Sequence, residues 1–248
     1  KRIKFIMAYT TINKSTDYFN TKLYTGTGAE QTISGINHQP DMVWIKRRNG
    51  ARNHQLQDVV RGITKQLVPN ETDAEATNTE KVKSIQSDGF TLGTNQDVNA
   101  SSDTFASWNW KANGAGSSNS DGSITSTVSA NTTAGFSIVS YTGTGANATV
   151  GHGLGVAPSM YIVKNRDDND SWGVYHKSLG ATKYLRLQGT DAAATSSVWW
   201  NDTEPTSSVF SVGTAVATNA SAENLIAYCF AEKTGYSKFG SYTGNGNA

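Results

Sequence analysis

Cysteine is nearly missing from this chain. Its 248 residues hold one, Cys229, which excludes an intrachain disulfide framework and a cysteine-based zinc site. In the setting Ile226-Ala227-Tyr228-Cys229-Phe230-Ala231 it reads as a packed small hydrophobe. No apolar run approaches the roughly 18 residues of a membrane-spanning helix, so the expectation is no membrane insertion. The stretch Lys1-Arg2-Ile3-Lys4-Phe5-Ile6 is too short for a signal peptide's apolar region. Met7 reads either as the biological start, with the six residues before it added, or as an internal residue. Charge is scarce as well. Only 17% of residues are charged and the formal net charge is +1, which gives no global field for nucleic acid. Residues 1–116 carry 14 Lys/Arg against 11 Asp/Glu, and residues 117–248 carry 7 against 9. The four histidines, His38, His54, His152 and His176, form no pair with ligand spacing, and His38 and His152 read as solvated loop residues. There is no nucleophile elbow, phosphate-binding loop or paired-carboxylate signature.

What is abundant is Gly, Ser, Thr and Asn, a composition that suits many short strands joined by turns. The organising motif is Tyr-Thr-Gly-x-Gly, found at 24–28, 141–145 and 242–246. The residues after the first two copies also match. Pro40-Asp41-Met42-Val43-Trp44-Ile45-Lys46 answers Pro158-Ser159-Met160-Tyr161-Ile162-Val163-Lys164, and Asn99-Ala100-Ser101 answers Asn219-Ala220-Ser221. An internal repeat of this length outranks local signals. The expected fold is all-β, two tandem β-sandwich domains of jelly-roll or lectin-like type. An arm covers 1–18, the sandwiches 19–111 and 124–235, and a linker 112–123, which has no apolar side chain larger than alanine. Residues 236–248 either begin a third repeat or close the second sandwich. Strands are expected at 19–24, 31–36, 42–46, 90–92 and 104–110. Residues 56–67 form a strand pair or a short helix, and 72–84 read as a loop.

Three groups stand out as candidate sites. Adjacent residues on a strand face opposite ways, so one indole of Trp199-Trp200 is expected to point outward. With Asn201, Asp202 and Glu204 beside it, that ring would contact a glycan by stacking plus polar bonds; the alternative is packing against a neighbouring domain or subunit. Asp167, Asp168 and Asp170 are hard oxygen donors of the kind calcium takes, though without a known calcium-loop spacing; the alternative is an acidic turn. Arg47, Arg48 and Arg52 occupy the corresponding loop of the first repeat, so one fold position is basic in one copy and acidic in the other. These loops are expected to meet across a domain or subunit contact. Trp44, Trp108 and Trp110 read as core.

Taken together, Met7-Ala8-Tyr9-Thr10-Thr11-Ile12-Asn13, Tyr24-Thr25-Gly26, Gln39-Pro40-Asp41-Met42-Val43-Trp44-Ile45-Lys46, Asp88-Gly89-Phe90 and Ala227-Tyr228-Cys229-Phe230-Ala231-Glu232 resemble a repeat family of structural proteins in tailed bacteriophages, especially marine and cyanobacterial ones. The resemblance covers nearly the whole chain. It implies a non-enzymatic virion component, a tail fibre or similar appendage that is located in the virion and contacts other virion proteins. The sequence as a whole is further expected to give a homo-oligomer that presents loops for attachment to host surface polysaccharide or for subunit assembly, with no cofactor unless the aspartate cluster takes calcium. The alternatives are a capsid-decorating or purely architectural protein, and a glycan depolymerase using Asp167, Asp168, Asp202 and Glu204.

Overall fold

A computed structural model describes residues 10–246; Met7 and the two residues after it lie outside them. The chain is all-β. In the first repeat the strands are β1 (Phe19–Thr25), β2 (Gln31–Ser34), β3 (Met42–Arg47), β4 (Gln55–Asp58), β5 (Lys65–Gln66), β6 (Ala76–Thr77), β7 (Val82–Gln86), β8 (Gly89–Leu92) and β9 (Thr104–Trp110), with a helical turn α1 (Gln96–Asn99) before the last. Then come β10 (Ser117–Asn119) and β11 (Ser126–Asn131). The second repeat holds β12 (Phe136–Thr142), β13 (Ala148–Gly151), β14 (Met160–Asn165), β15 (Gly173–His176), β16 (Lys183–Arg186), β17 (Ala194–Thr195), α2 (Ser197–Trp200), β18 (Val209–Val212), α3 (Val216–Asn219) and β19 (Asn224–Phe230).

The main sheet of the first repeat runs β1-β9-β3-β4, and the second contains β12-β19-β14-β15 in the same order. Each is backed by a smaller sheet, β2-β8-β7 in the first repeat and β13-β18 in the second. Three apolar cores join these sheets into a stack of four layers. Ile33, Phe90 and Leu92 meet Val43, Ile45 and Phe105 in the first, and Val150, Phe210 and Val212 meet Val139, Tyr161 and Leu225 in the third. The middle core joins the repeats: Met42, Leu56 and Trp110 lie against Ile138, Ile162, Trp172 and Tyr228. The central strands are therefore buried on both faces. That is why 42–45 and 225–230 read as nearly continuous apolar runs rather than as alternation.

Two expectations change, and the open reading of 56–67 resolves to its strand-pair alternative, with Leu56 bridging Leu67 antiparallel. Residues 112–123 are not a free linker, because β10 lies inside them and pairs with β11, which pairs with β12 and extends the second main sheet to eight strands. The strand carries no large apolar residue because it is an exposed edge. Residues 56–67 are strands and turns. Residues 72–84 hold β6 and the start of β7, and the stretch 71–75 that leads into them straps the repeats together: Glu71 O accepts from Trp172 Nε1 at 3.0 Å and Ala74 N donates to Asn169 Oδ1 at 2.9 Å.

The strap ends in a buried chain of charges. Tyr228 hydroxyl donates to Asp58 at 2.7 Å, Asp58 pairs with Arg61 at 2.6 Å, Arg61 with Glu75 at 2.9 Å, and Glu75 with Arg166 at 2.9 Å. The side chains of Asp58 and Arg61 are fully enclosed. Two carboxylates and two guanidiniums balance, which is the condition for holding charge out of water.

The repeated motif is clamped in the same way in both copies. Asn99 Oδ1 accepts from Thr27 N at 2.9 Å, while its Nδ2 donates to Ala29 O and Gly93 O at 2.6 and 2.7 Å. Asn219 repeats this with Thr144 N, Ala146 O and Gly213 O at 2.8, 2.6 and 2.7 Å. Gly28 and Gly145 sit at φ 73° and 70°, where glycine carries no steric penalty. A side chain on Gly26 or Gly143 would collide with the carbonyl of Ala100 or Ala220. In the third copy Tyr242 is 95% exposed, and a side chain on Gly244 would meet nothing within 4 Å.

Two outcomes are expected. Asn219→Ala removes the partner of three backbone groups, of which the Gly213 carbonyl is buried, and lowers stability by about 2 kcal/mol, read as a shift of the urea midpoint. Burial alone would raise the Glu75 carboxyl, but Arg166 and Arg61 hold it below its ordinary value. Its contribution is therefore present above the unfolded value and lost as pH falls through the folded one. Urea midpoints should drop on acidification below about 4.5, and less steeply in Arg166→Gln.

Candidate functional site

Strands β3 and β9 pair with Trp44 opposite Trp108 and Met42 opposite Trp110. Paired residues share a face, so three indoles stand on the side of the first main sheet that looks toward the second repeat. The second sheet covers only part of that side. Met42 and Leu56 are 1% exposed, whereas all three tryptophans keep part of their surface open. Where the cover ends, Trp44, His54, Trp108 and Trp110 line an apolar groove of about 330 Å³. Trp108 belongs to none of the three cores.

Trp110 is held from behind. Its ring lies 4.8 Å from Phe19, 6.2 Å from Phe136 and 6.3 Å from Phe230, so aromatics from both repeats fix it. It also walls a cavity of about 270 Å³ between the two main sheets, shared with Met160, Trp172 and Tyr228. Trp44 is fixed by its indole N–H, which donates to His54 Nδ1 at 2.8 Å. An indole nitrogen can only donate, so Nδ1 carries no proton and the neutral ring keeps its hydrogen on Nε2. Burial, and then Lys46 nearby, lower the His54 pKa and favour that form.

Elsewhere the expected sites come out differently. Trp199 and Trp200 are not on a strand but in the single turn α2, and both are buried, at 7% and 0% exposed. Trp199 stacks on Tyr184 at 3.9 Å, and Trp200 Nε1 donates to Lys183 O at 3.1 Å. Neither offers a ring to a glycan. Asn201 and Asp202 are exposed turn residues at φ 52° and 47°. The Glu204 carboxylate accepts from the Tyr175 hydroxyl and, at 2.7 Å, from Ala181 N.

Asp167, Asp168 and Asp170 do not gather around a point, and no group of three or more His, Cys, Asp or Glu able to hold a metal occurs among the described residues. Asp167 accepts from Asn224 N at 2.7 Å, Asp168 from Asn169 N at 2.7 Å, and Asp170 raises the pKa of Lys164 against the larger lowering by burial. The basic and acidic loops do not meet within the chain either. Arg47 pairs with Asp103 at 2.7 Å and Arg52 with Asp97 at 3.5 Å, while Arg48 bonds through its backbone to Thr104 O. The acidic loop does reach the first repeat, but at Ala74 and Glu75. His38 and His152, expected in solvent, are 4% and 0% exposed and bonded to Thr16 O and Thr206 O. Cys229 is buried as expected, and burial pushes its thiol up to about 12.

The indole groove escaped the sequence reading, which placed its tryptophans in the core. The available signal was the repeat alignment, since Trp44, Trp108 and Trp110 correspond to the smaller Ile162, Tyr228 and Phe230.

The fold and groove define an all-β layered protein with an aromatic surface site. A family model described as a domain of unknown function (DUF7483) matches residues 14–248, and the chain belongs to that family. No curated protein matches the chain, and no solved structure does.

Acidification tests the Trp44–His54 bond. Protonating Nδ1 must break it, so tryptophan fluorescence should change with a midpoint below the ordinary imidazole value of 6.5, and His54→Ala should abolish that step.

Proposed function

We propose that this chain is a non-enzymatic structural and adhesive module of a bacteriophage virion appendage, in which the groove of Trp44, Trp108 and Trp110 contacts host-surface glycan. The phage assignment rests on the resemblance of its repeat motifs. The adhesive part rests on one observation: three indoles on one sheet face line an open groove, Trp44 and Trp110 at the margin of the middle core and Trp108 outside every core. An indole offers a rigid apolar plane for the C–H face of a sugar. His54 keeps its Nε2–H as a donor at the rim, and Lys46 lies close enough to lower the His54 pKa. The stacked repeats supply a stiff mount, and repetition in an assembled particle would strengthen weak single contacts. The carboxylates considered for hydrolysis bring no support to a depolymerase, since Asp167 and Glu204 are tied into loop hydrogen bonds.

An array of bacterial surface polysaccharides tests this. The native chain should bind a subset of them. Trp108→Ala, which leaves every core residue in place, should bind those about tenfold more weakly, a difference of about 1.4 kcal/mol, with unchanged circular dichroism. Binding that survives the substitution moves the site elsewhere. No binding to any glycan favours the purely architectural reading.

A further inference from the structure

The two repeats differ in how one sheet edge is treated. In the second repeat the outer edge of β12 is covered by β11 over Ser126–Asn131, and β11 by β10. The strand at the same place in the first repeat is β1. It pairs with β9 along all seven residues from Phe19 to Thr25, and no described strand takes its other side.

Bonds at the two ends of that ladder show which groups look outward. Lys111 N donates to Tyr18 O and Gly26 N to Asp103 O. Bonded positions alternate in an antiparallel pair, so the even-numbered residues from Tyr18 to Gly26 face β9. Phe19, Thr21, Leu23 and Thr25 then turn their N–H and C=O groups to the bare edge. Gln31 Nε2 donates to Thr25 O at 3.2 Å. Thr21 and Leu23, in the middle, have no partner strand among the described residues, and the Leu23 side chain is 57% exposed.

Among the described residues, the segments near β1 do not fill the place. The segment standing ahead of β1 as β11 stands ahead of β12 is residues 9–14, and Thr10 to Lys14 form no strand. Ile12 is buried there, and the chain goes on into a single 3-10 turn at Ser15–Asp17, where Thr16 O bonds His38 Nδ1 at 2.8 Å. A long, unprotected edge is a template for another strand. Among the described residues, β1 is also the longest strand left with a bare edge. The outermost strands of the eight-stranded sheet, β10 and β17, have three and two residues.

The geometry points to β1 as the contact for a second copy of this chain, with β1 pairing antiparallel to its counterpart about a two-fold axis. Such a contact closes both edges at once and is self-limiting. It would build an eight-stranded sheet in the first repeat, as many strands as the second repeat already has. The register follows from charge. Centred on Lys22, the pairing sets two ammonium groups opposite each other, which is unfavourable. Centred on Leu23, it sets Leu23 against Leu23 and Lys22 against Tyr24. Odd positions of β1 share a face with Trp108, so the dimer would carry both indole grooves on one side of a continuous sheet. The contact does not depend on what those grooves bind.

Sedimentation velocity on the full chain over a wide concentration range tests this. The expected result is a species of twice 26.5 kDa. Leu23→Pro removes an outward N–H without touching the β9 ladder, and proline is tolerated on edge strands for that reason. It should weaken the dimer at least tenfold with unchanged circular dichroism. Leu23→Cys is the second arm and decides the matter if the proline variant does not fold. Cys229 is buried, so mild oxidation should link two chains through the new thiol alone, in high yield. A chain that stays monomeric at every concentration overturns the proposal. So does a dimer that Leu23→Pro leaves intact and Leu23→Cys does not cross-link.

Discussion

The contact on which the rest depends is the face-to-face packing of the two main sheets. Met42, Leu56 and Trp110 from one repeat and Ile138, Ile162, Trp172 and Tyr228 from the other exclude water between them. Two small sandwiches become one four-layered body by this contact. Burial of this kind is worth roughly 25 cal/mol per Å² of apolar surface. It also makes the charge chain from Tyr228 to Arg166 possible, because that chain lies where the sheets meet and would otherwise be solvated. The charges add direction more than net stability: a buried pair costs much to break and little to replace with apolar groups.

The same contact creates the groove. Both faces carry equivalent positions of the repeat, but the covering sheet does not reach the Trp108 end of its partner. Trp110, fixed by Phe19, Phe136 and Phe230, marks the boundary between covered and open surface. A flat aromatic face held from behind by an inter-repeat core is a rigid platform, which suits recognition by stacking better than an adaptable loop would.

Much of the first repeat was legible from the sequence because its strands obey simple patterns. The alternation in 104–110 separates Phe105 and Ser107 from Ala106, Trp108 and Trp110, and the structure sets Phe105 in one core and Trp110 in another. The Tyr-Thr-Gly-x-Gly turn was legible through its repetition, and so was the correspondence of Asn99 with Asn219, but not that these asparagines clamp the turn. Features carried by main chain and charge were not. Residues 71–75 have no apolar pattern, yet they strap the repeats by backbone bonds and Glu75. Residues 117–119 are polar because they form a sheet edge, and polarity alone resembles a linker. Trp199 and Trp200 lie in a helical turn too short to show a period. As for the groove, the tryptophans sit on the pattern of a buried face, and no sequence signal says where the covering sheet stops.

The central claim is that the two repeats are one folded body, not two modules on a linker. Scanning calorimetry of the intact chain tests it most directly. A shared core and a buried charge chain predict one transition, with calorimetric and van't Hoff enthalpies in a ratio of about one. Two separable transitions, each with the enthalpy of half the chain, would contradict it.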